Sequence, residues 1–124
     1  MIVDDEAFIR QSFADWFEDR HWIPLEAESG EQALGILETE SPDCAIVDVR
    51  MGGMTGDEFI RRACRRKPEM SFVICTGSPE YGVPADLLGL SCVCQKVFRK
   101  PVTNFGELEA TMAELVMRNR TKRA

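Results

Sequence analysis

The sequence predicts an α/β domain built on an open, doubly wound parallel sheet. Short apolar runs alternate with stretches of helical periodicity about five times along the 124 residues. The apolar runs are nearly continuous, as expected of strands buried on both faces, and the intervening helices supply the right-handed crossovers that join parallel strands. A chain of this length accommodates one domain with a substantial core, and we therefore expect a single unit with helices on both faces of the sheet.

The first helix is predicted over residues 7–20, after a short opening strand at residues 1–3. Its apolar residues recur at the spacing of a core-facing stripe: Phe8, Ile9, Phe13, Trp16 and Phe17. Residues 23–27 then form the expected second strand. Ser29 caps a second helix, which ends near the Ser41-Pro42 step because the residue before a proline disfavours helical backbone angles.

The third strand is predicted at residues 44–48 and leads into a loop that contains Gly52, Gly53 and Gly56. A helix follows over about residues 57–67 and ends at Pro68. The remaining predicted elements are the Ser71–Thr76 strand, a short helix at Ala85–Leu88, a strand ending at Phe98 and a helix over about residues 104–119.

Composition narrows the function classes. The net charge is −6, and residues 1–50 hold 13 acidic side chains against 3 basic ones, which favours a cation site and argues against direct nucleic-acid binding. No apolar stretch approaches the roughly 20 residues of a membrane helix, and no export signal is evident. The five cysteines are odd in number and include no CxxC pair, and the Cys92-x-Cys94 pair lacks complementary zinc ligands. We therefore expect a cytoplasmic protein without membrane contact.

Polar residues that handle metal or phosphate follow four of the apolar runs: Asp4 and Asp5, Asp48, Thr76, and Lys100. All strand C-termini of a parallel sheet lie along one edge, so these side chains are expected to converge. Clustered carboxylates repel, and Mg²⁺ relieves that repulsion because it takes hard oxygen ligands. An ammonium beside such a metal suits a phosphoryl group, and a strand-end carboxylate such as Asp48 can be the nucleophile. An acidic helix cap at Asp4-Asp5 is the simpler alternative for that pair alone.

The motifs Val3-Asp4-Asp5-Glu6, residues 48–56, Thr76-Gly77 and Lys100-Pro101 together resemble the receiver domain of bacterial two-component response regulators. The resemblance covers essentially the whole chain. It implies a flavodoxin-like five-stranded sheet of order 2-1-3-4-5, with a receiver domain over residues 1–119 and a basic tail at residues 120–124 that could begin a linker.

The resemblance also implies a role for each site residue. Asp48 accepts a phosphoryl group from a sensor histidine kinase or a phosphotransfer protein. Mg²⁺ is bound by Asp5, Asp48 and the backbone carbonyl of Arg50, with Asp4 assisting through water. Lys100 pairs with the phosphoryl group, and Thr76 moves toward it as the switch. The domain would then act on itself rather than on an external substrate, would signal to an unidentified output domain or target, and could form a homodimer.

Three departures from the family pattern bear on the switch. Gly52 stands where a proline is usual, Val97 stands where an aromatic residue is usual with Phe98 one place later, and residues 89–94 suggest an insertion.

Two alternative functions stay open. One is a receiver fold used only for docking, without phosphotransfer. The other is a small aspartyl-phosphate hydrolase, which would usually carry a carboxylate at the position of Arg50.

Overall fold

The computed structural model describes residues 1–123, with side chains described as far as residue 120. The strands are β1 (Ile2–Val3), β2 (Glu26–Ala27), β3 (Cys44–Val47), β4 (Ser71–Thr76) and β5 (Phe98–Arg99). The helices are α1 (Ala7–Asp19), α2 (Gly30–Ile36), α3 (Gly56–Arg66), α4 (Ala85–Leu88) and α5 (Phe105–Arg123).

The five strands form one sheet in the order β2-β1-β3-β4-β5, and every neighbouring pair is parallel. This order confirms the predicted topology. Val3 lies opposite both Ala27 and Val47, so β1 lies between β2 and β3 and the sheet is wound outward from it in both directions. The residues that follow β1 and β3 are therefore neighbours at the switch point of the sheet.

Two apolar layers enclose the sheet, and side chains of each strand alternate between them. Phe72 and Ile74 of β4 join the layer under α2, α3 and α4, whereas Val73 and Cys75 join the layer under α1 and α5. Cys92 and Cys94 are likewise divided between the two layers. A shared metal site for this pair is therefore not formed.

Local sequence explains where the helices begin. Ser29 Oγ accepts a hydrogen bond from the Gln32 backbone N–H at 3.0 Å, and Thr55 Oγ1 accepts one from Glu58 at 3.2 Å. Asn104 Oδ1 accepts one from Glu107 at 3.0 Å. Each side chain satisfies a backbone donor that the first helical turn leaves unpaired. The predicted starts of α2, α3 and α5 are confirmed to within one residue.

Phe8 corrects the predicted stripe of α1, because its side chain is 86% exposed. At about 100° per residue, Phe8 lies half a turn around the helix from Phe17, which is buried. Phe13 and Ala14 share the buried side with Phe17, and Ile9 and Trp16 are half-buried beside them. The core-facing stripe is therefore narrower than the sequence suggested.

The second strand is shorter than predicted. Ile23 is 89% exposed, and only Glu26–Ala27 pair with β1. Two causes combine: β1 offers just two residues for pairing, and Pro24 has no backbone N–H to donate. The edge strand β2 is therefore only two residues long.

The last helix continues past the predicted end at residue 119. Asn119 is buried and donates its side-chain amide to the Glu69 carbonyl at 2.8 Å, with longer contacts to the Met70 carbonyl and Ser71 Oγ at 3.4 Å. Residues 120–123 of the predicted basic tail belong to α5, and Ala124 lies outside the described residues. The domain boundary at residue 119 stays a prediction.

Candidate functional site

A crevice of about 360 Å³ opens at the C-terminal edge of the sheet, over β3, β4 and the end of β5. Its lining comes from four separate parts of the chain: Glu6, Asp48, Arg50, Thr76, Gly77, Ser78, Pro79, Glu80 and Lys100. Asp48, Thr76 and Lys100, which the sequence analysis singled out, are among these residues. The convergence of polar strand ends therefore occurs in the folded chain.

Four carboxylates gather beside this crevice. One oxygen from each of Asp4, Asp5, Glu6 and Asp48 lies within 4.8 Å of the others. Asp4 and Asp48 are buried, with 3% and 5% of their surfaces exposed, while Asp5 and Glu6 are exposed. The simpler alternative of a helix cap is not formed, because no side chain caps α1; Asp4 Oδ1 instead accepts a hydrogen bond from the backbone N–H of Glu6, the residue before this helix, at 2.9 Å.

Lys100 is the cation that faces this cluster. Its Nζ lies 2.8 Å from Asp4 Oδ2, 3.5 Å from Asp48 Oδ2 and 3.5 Å from Glu6 Oε1. Burial by itself would lower the pKa of Lys100, but the hydrogen bond to Asp4 and the nearby carboxylates raise it above its usual value. Lys100 is therefore a fixed positive charge, and it stays fully protonated at neutral pH.

Asp48 is a buried carboxyl group whose proton affinity is raised by its surroundings. Burial is the main reason that the pKa of this carboxyl group is raised to about 6; Lys100 acts to lower it, and the charges of Asp4 and Asp5 add smaller contributions that raise it. A second positive charge beside Asp48 would lower that pKa and keep the carboxylate ionised. The electrostatics of the site thus favour a bound cation.

The donor set fits Mg²⁺. This ion demands a nearly octahedral shell at about 2.0–2.1 Å, which places ligand oxygens about 3 to 4 Å apart, and it retains several waters. The carboxylate oxygens of Asp4, Asp5 and Asp48 are already close to that separation. Asp4 and Asp48 directly follow β1 and β3, which are neighbouring strands of the sheet.

The loop after Asp48 is held against the sheet by Gly56. A Cβ at this position would lie 2.2 Å from the Asp48 carbonyl oxygen, and the Gly56 N–H donates to the Val49 carbonyl at 2.9 Å. Only glycine permits this approach. Gly52, by contrast, has open space around it, so its replacement of the usual proline is not required by packing.

Thr76 and Arg50 both line the crevice. The Thr76 side chain is buried, and its Oγ1 accepts a hydrogen bond from the Ser78 N–H at 3.1 Å. The Arg50 side chain crosses from the β3–α3 loop and donates to Ser78 Oγ at 3.3 Å. Ser78 therefore links the two loops that border Asp48.

Several side chains that support the site were not anticipated from the sequence. Arg10 donates to the Asp4 carbonyl at 2.7 Å, and Arg99 donates to the Ser78 and Tyr81 carbonyls at 2.5 and 2.8 Å. Tyr81 in turn donates to Asp57 Oδ1 at 2.6 Å. Glu6 was detectable as the third acid of Asp4-Asp5-Glu6, but the arginine contacts depend on tertiary proximity and have no local signal.

The departures from the family pattern have clear structural positions. Val97 packs in the layer under α2–α4, together with Tyr81 and Val83, whereas Phe98 is buried in the opposite layer. The aromatic ring one place after Val97 therefore does not replace the usual aromatic residue. Residues 92–94 pair with β4 at Phe72, and the predicted insertion at residues 89–94 stays a prediction.

No helix among residues 1–123 is both long and apolar enough to cross a bilayer.

The family model described as "Response regulator receiver domain" matches residues 1–112. A relative with 30% identity over 88 residues is the positive alginate biosynthesis regulatory protein of Pseudomonas aeruginosa, with 68% of this chain and 36% of that protein covered. This chain spans about a third of the length of such curated relatives.

Solved structures agree on the fold. A CheY-like receiver domain from Methanospirillum hungatei matches with a TM-score of 0.82 and 23% identity, covering 98% of this chain and 94% of that one. The response regulator TrrA from Thermotoga maritima, solved with Mg²⁺ and BeF, matches with a TM-score of 0.76 and 25% identity, covering 92% of this chain and 95% of that one.

Proposed function

We propose a phosphoacceptor function for Asp48, on the premise that this chain belongs to the response regulator receiver domain family. The observation that carries the proposal is the position of Asp48. Its carboxylate is buried at the end of the central part of the sheet, opens onto a crevice, and faces Lys100 at 3.5 Å. A sensor histidine kinase or a phosphotransfer protein would supply the phosphoryl group.

We propose that Asp4, Asp5 and Asp48 hold Mg²⁺, with the Arg50 backbone carbonyl as a further ligand. The close carboxylate oxygens and the raised pKa of Asp48 support a cation at this place. The relative TrrA was solved with Mg²⁺ and a beryllium fluoride group. When bound, Mg²⁺ neutralises charge on the phosphoryl oxygens during transfer.

In the proposed reaction, an Asp48 Oδ attacks the phosphorus of phosphohistidine. The new bond joins Asp48 oxygen to phosphorus, and the phosphorus–nitrogen bond to the histidine breaks, so that the imidazole leaves. The ammonium of Lys100 is placed to stabilise negative charge on the phosphoryl group. Thr76 would exchange its hydrogen bond from Ser78 for one to the phosphoryl group, as the switch.

We propose that Asp48 is modified without turnover of an external substrate. The residue two places after Asp48 is Arg50, whose guanidinium does not deprotonate and so cannot serve as a general acid. The output is an unidentified domain or target protein, and the domain forms a homodimer for that output. The predicted cytoplasmic location is the compartment that matches a kinase donor.

The experiment is incubation of the protein with Mg²⁺ and acetyl phosphate, followed by intact mass measurement. We expect wild type to gain the mass of one phosphoryl group, and to gain none after chelation of the metal. Asp48→Asn should not gain it. Asp43→Asn is the matched control, because Asp43 is an exposed acid at the other end of the same strand.

Two results would overturn this function: no mass gain in wild type, or an undiminished gain in Asp48→Asn. The first result, together with Mg²⁺ binding too weak to detect at millimolar concentration, would support the docking alternative. Turnover of free phosphoesters that disappears in Asp48→Asn would support the hydrolase alternative.

A further inference from the structure

Two cysteines lie in contact on the face of the sheet that carries α2–α4, away from the crevice. The Sγ atoms of Cys64 and Cys92 are 3.5 Å apart, although the residues are 28 positions apart in sequence. Cys64 belongs to α3, and Cys92 lies in the turn between α4 and β5. Neither residue takes part in the proposed phosphoryl chemistry.

The backbone on each side of this contact is firmly held. The Cys92 carbonyl accepts a hydrogen bond from Phe72 N–H at 2.8 Å, and Cys94 N–H donates to the Phe72 carbonyl at 2.9 Å. On the other side, Phe59, Ile60 and Ala63 of α3 are themselves completely buried in the same layer. The two sulfurs are therefore brought together by packed elements rather than by a mobile loop.

The chemistry of this pair differs from that of the other cysteines. Burial raises the pKa of both the Cys44 and the Cys75 thiol to about 12, so these groups are inert. In the Cys64–Cys92 pair, the remaining S–H hydrogen-bonds to the thiolate that forms first, which holds the pKa of Cys92 below its usual value. Cys64 is half-buried and gives the pair access to solvent.

We propose that Cys64 and Cys92 form a reversible oxidation site that becomes an intramolecular disulfide when the protein meets a peroxide. The sulfurs must close from 3.5 Å to about 2 Å for the bond to form. This inference stands independently of the proposed phosphoacceptor function.

The oxidation takes place in two balanced steps. The Cys92 thiolate attacks a peroxide oxygen of hydrogen peroxide, the O–O bond breaks, and hydroxide leaves with a sulfenic acid on Cys92. The Cys64 sulfur then attacks Cys92 Sγ, the S–O bond breaks, and water leaves. In total two thiols are oxidised, and one hydrogen peroxide is reduced to two waters.

Such a bond would couple two parts of the chain that lead to the crevice. Helix α3 begins at Gly56, which packs on the Asp48 carbonyl, and the Cys92 segment leads through β5 to Lys100. A covalent link between them would restrict relative movement of α3 and the β5 approach. Oxidation would thereby alter the mobility of the elements around the crevice without modifying any residue that lines it.

The test is treatment of the reduced, folded protein with hydrogen peroxide, followed by denaturation and alkylation of free thiols. We expect the intact chain to lose the mass of two hydrogen atoms, and the number of alkylated cysteines to fall from five to three. Dithiothreitol should restore all five. Digestion should yield one crosslink, between the peptides that carry Cys64 and Cys92.

Matched variants assign the bond. Cys64→Ser and Cys92→Ser should each abolish the mass loss, whereas Cys94→Ser should retain it. Cys94 is the suitable control because it lies in the same segment as Cys92 and is equally buried, at 8% exposure. Serine nearly preserves the shape of cysteine, and the wild-type crosslink map needs no variant to fold.

The proposal is wrong if wild type keeps five alkylatable thiols under oxidation, or if the mapped crosslink joins any other pair. It is also wrong if the mass loss survives in Cys64→Ser. None of these outcomes depends on acetyl phosphate labelling, so failure of the disulfide and failure of the phosphoacceptor function are distinguishable.

Discussion

Lys100 and Asp48 show how closely charge is balanced at the candidate site. One ammonium faces Asp4, Glu6 and Asp48, while Asp5 lies next to the same cluster. Negative charge is therefore in excess, and this excess adds to the larger effect of burial, which raises the pKa of Asp48 to about 6. The charges around Asp48 therefore favour a further cation at this place.

The raised pKa of Asp48 predicts that the free energy of unfolding changes with pH. The pKa of Asp48 is about 6 in the fold and about 3.9 in an unfolded chain, so the folded state binds the proton more tightly. The contribution of Asp48 to stability is therefore fully present below about pH 4 and is lost as the pH rises through about 6.

We accordingly expect Asp48→Asn, with metal chelated, to be more stable than wild type at pH 7 by about 1 kcal/mol. This gain is smaller than the pKa change alone would imply, because water in the crevice screens the charges. Urea denaturation should show the gain shrinking toward zero near pH 4. Asp15→Asn, on the exposed side of α1, is the control, and an equal gain at both pH values would contradict the explanation.

At the scale of single residues, the sequence predicted which side chains form the candidate site better than it predicted the hydrogen bonds that support them. Asp4, Asp5, Asp48, Thr76 and Lys100 each follow an apolar run, and residues that end parallel strands share an edge, so their meeting was predictable. The hydrogen bonds from Arg10 and Arg99 to backbone carbonyls were not, since long flexible side chains choose partners by tertiary position. The metal-binding and switching roles stay predictions.

Among the elements, the connection from β3 to α3 shows the tightest steric requirement. Gly56 begins α3 directly against the carbonyl of Asp48, and a Cβ there would also lie 2.9 Å from Val49 Cα. Both contacts are with backbone, which cannot swing aside as a flexible side chain can. The position of the acceptor loop therefore depends on a residue eight places beyond Asp48.

We expect Gly56→Ala to destabilise the fold by about 1–3 kcal/mol, the range typical of overpacking and backbone displacement. Gly35→Ala is the matched control. Gly35 lies in α2 with nothing near its would-be Cβ, so alanine should stabilise the protein by about 0.5–1 kcal/mol. Thermal unfolding of both variants measures the contrast, and a neutral Gly56→Ala would show that the loop can yield.

The residues at which helices begin were more predictable from the sequence than the side chains that each helix or strand buries. Ser29, Thr55 and Asn104 are capping residues that act locally, and α2, α3 and α5 begin where they indicate. Phe8 and Ile23 are apolar but exposed, because the extent of burial depends on the length of β1 and on how α1 crosses the sheet. Such quantities are set by packing and leave no periodic signal.

Asn119 stabilises the packing of α5 on the sheet at the end opposite the crevice. This side chain is beyond the residues 1–112 that match the family model, yet it is buried and bridges the last turns of α5 to the start of β4. The amide satisfies carbonyls at the end opposite the crevice. Its loss would leave buried acceptors without their donor.

We expect Asn119→Ala to lower the free energy of unfolding by about 1–2 kcal/mol, the usual penalty for an unsatisfied buried polar group. Glu114→Ala, at an exposed position of the same helix, should change it by less than about 0.5 kcal/mol. Denaturant titration measures both. Equal effects of the two substitutions would show that Asn119 contributes nothing specific.

The anchored end of α5 has a practical consequence for protein engineering. An α-helix turns by about 100° per residue, and the contacts of Asn119 set the rotation of this one relative to the sheet. A reporter fused in continuous helix to α5 would inherit that rotation, so inserting one residue at the junction would reorient it by more than a quarter turn. The number of residues inserted at the junction therefore sets the orientation of the reporter relative to the sheet, in steps of about 100°.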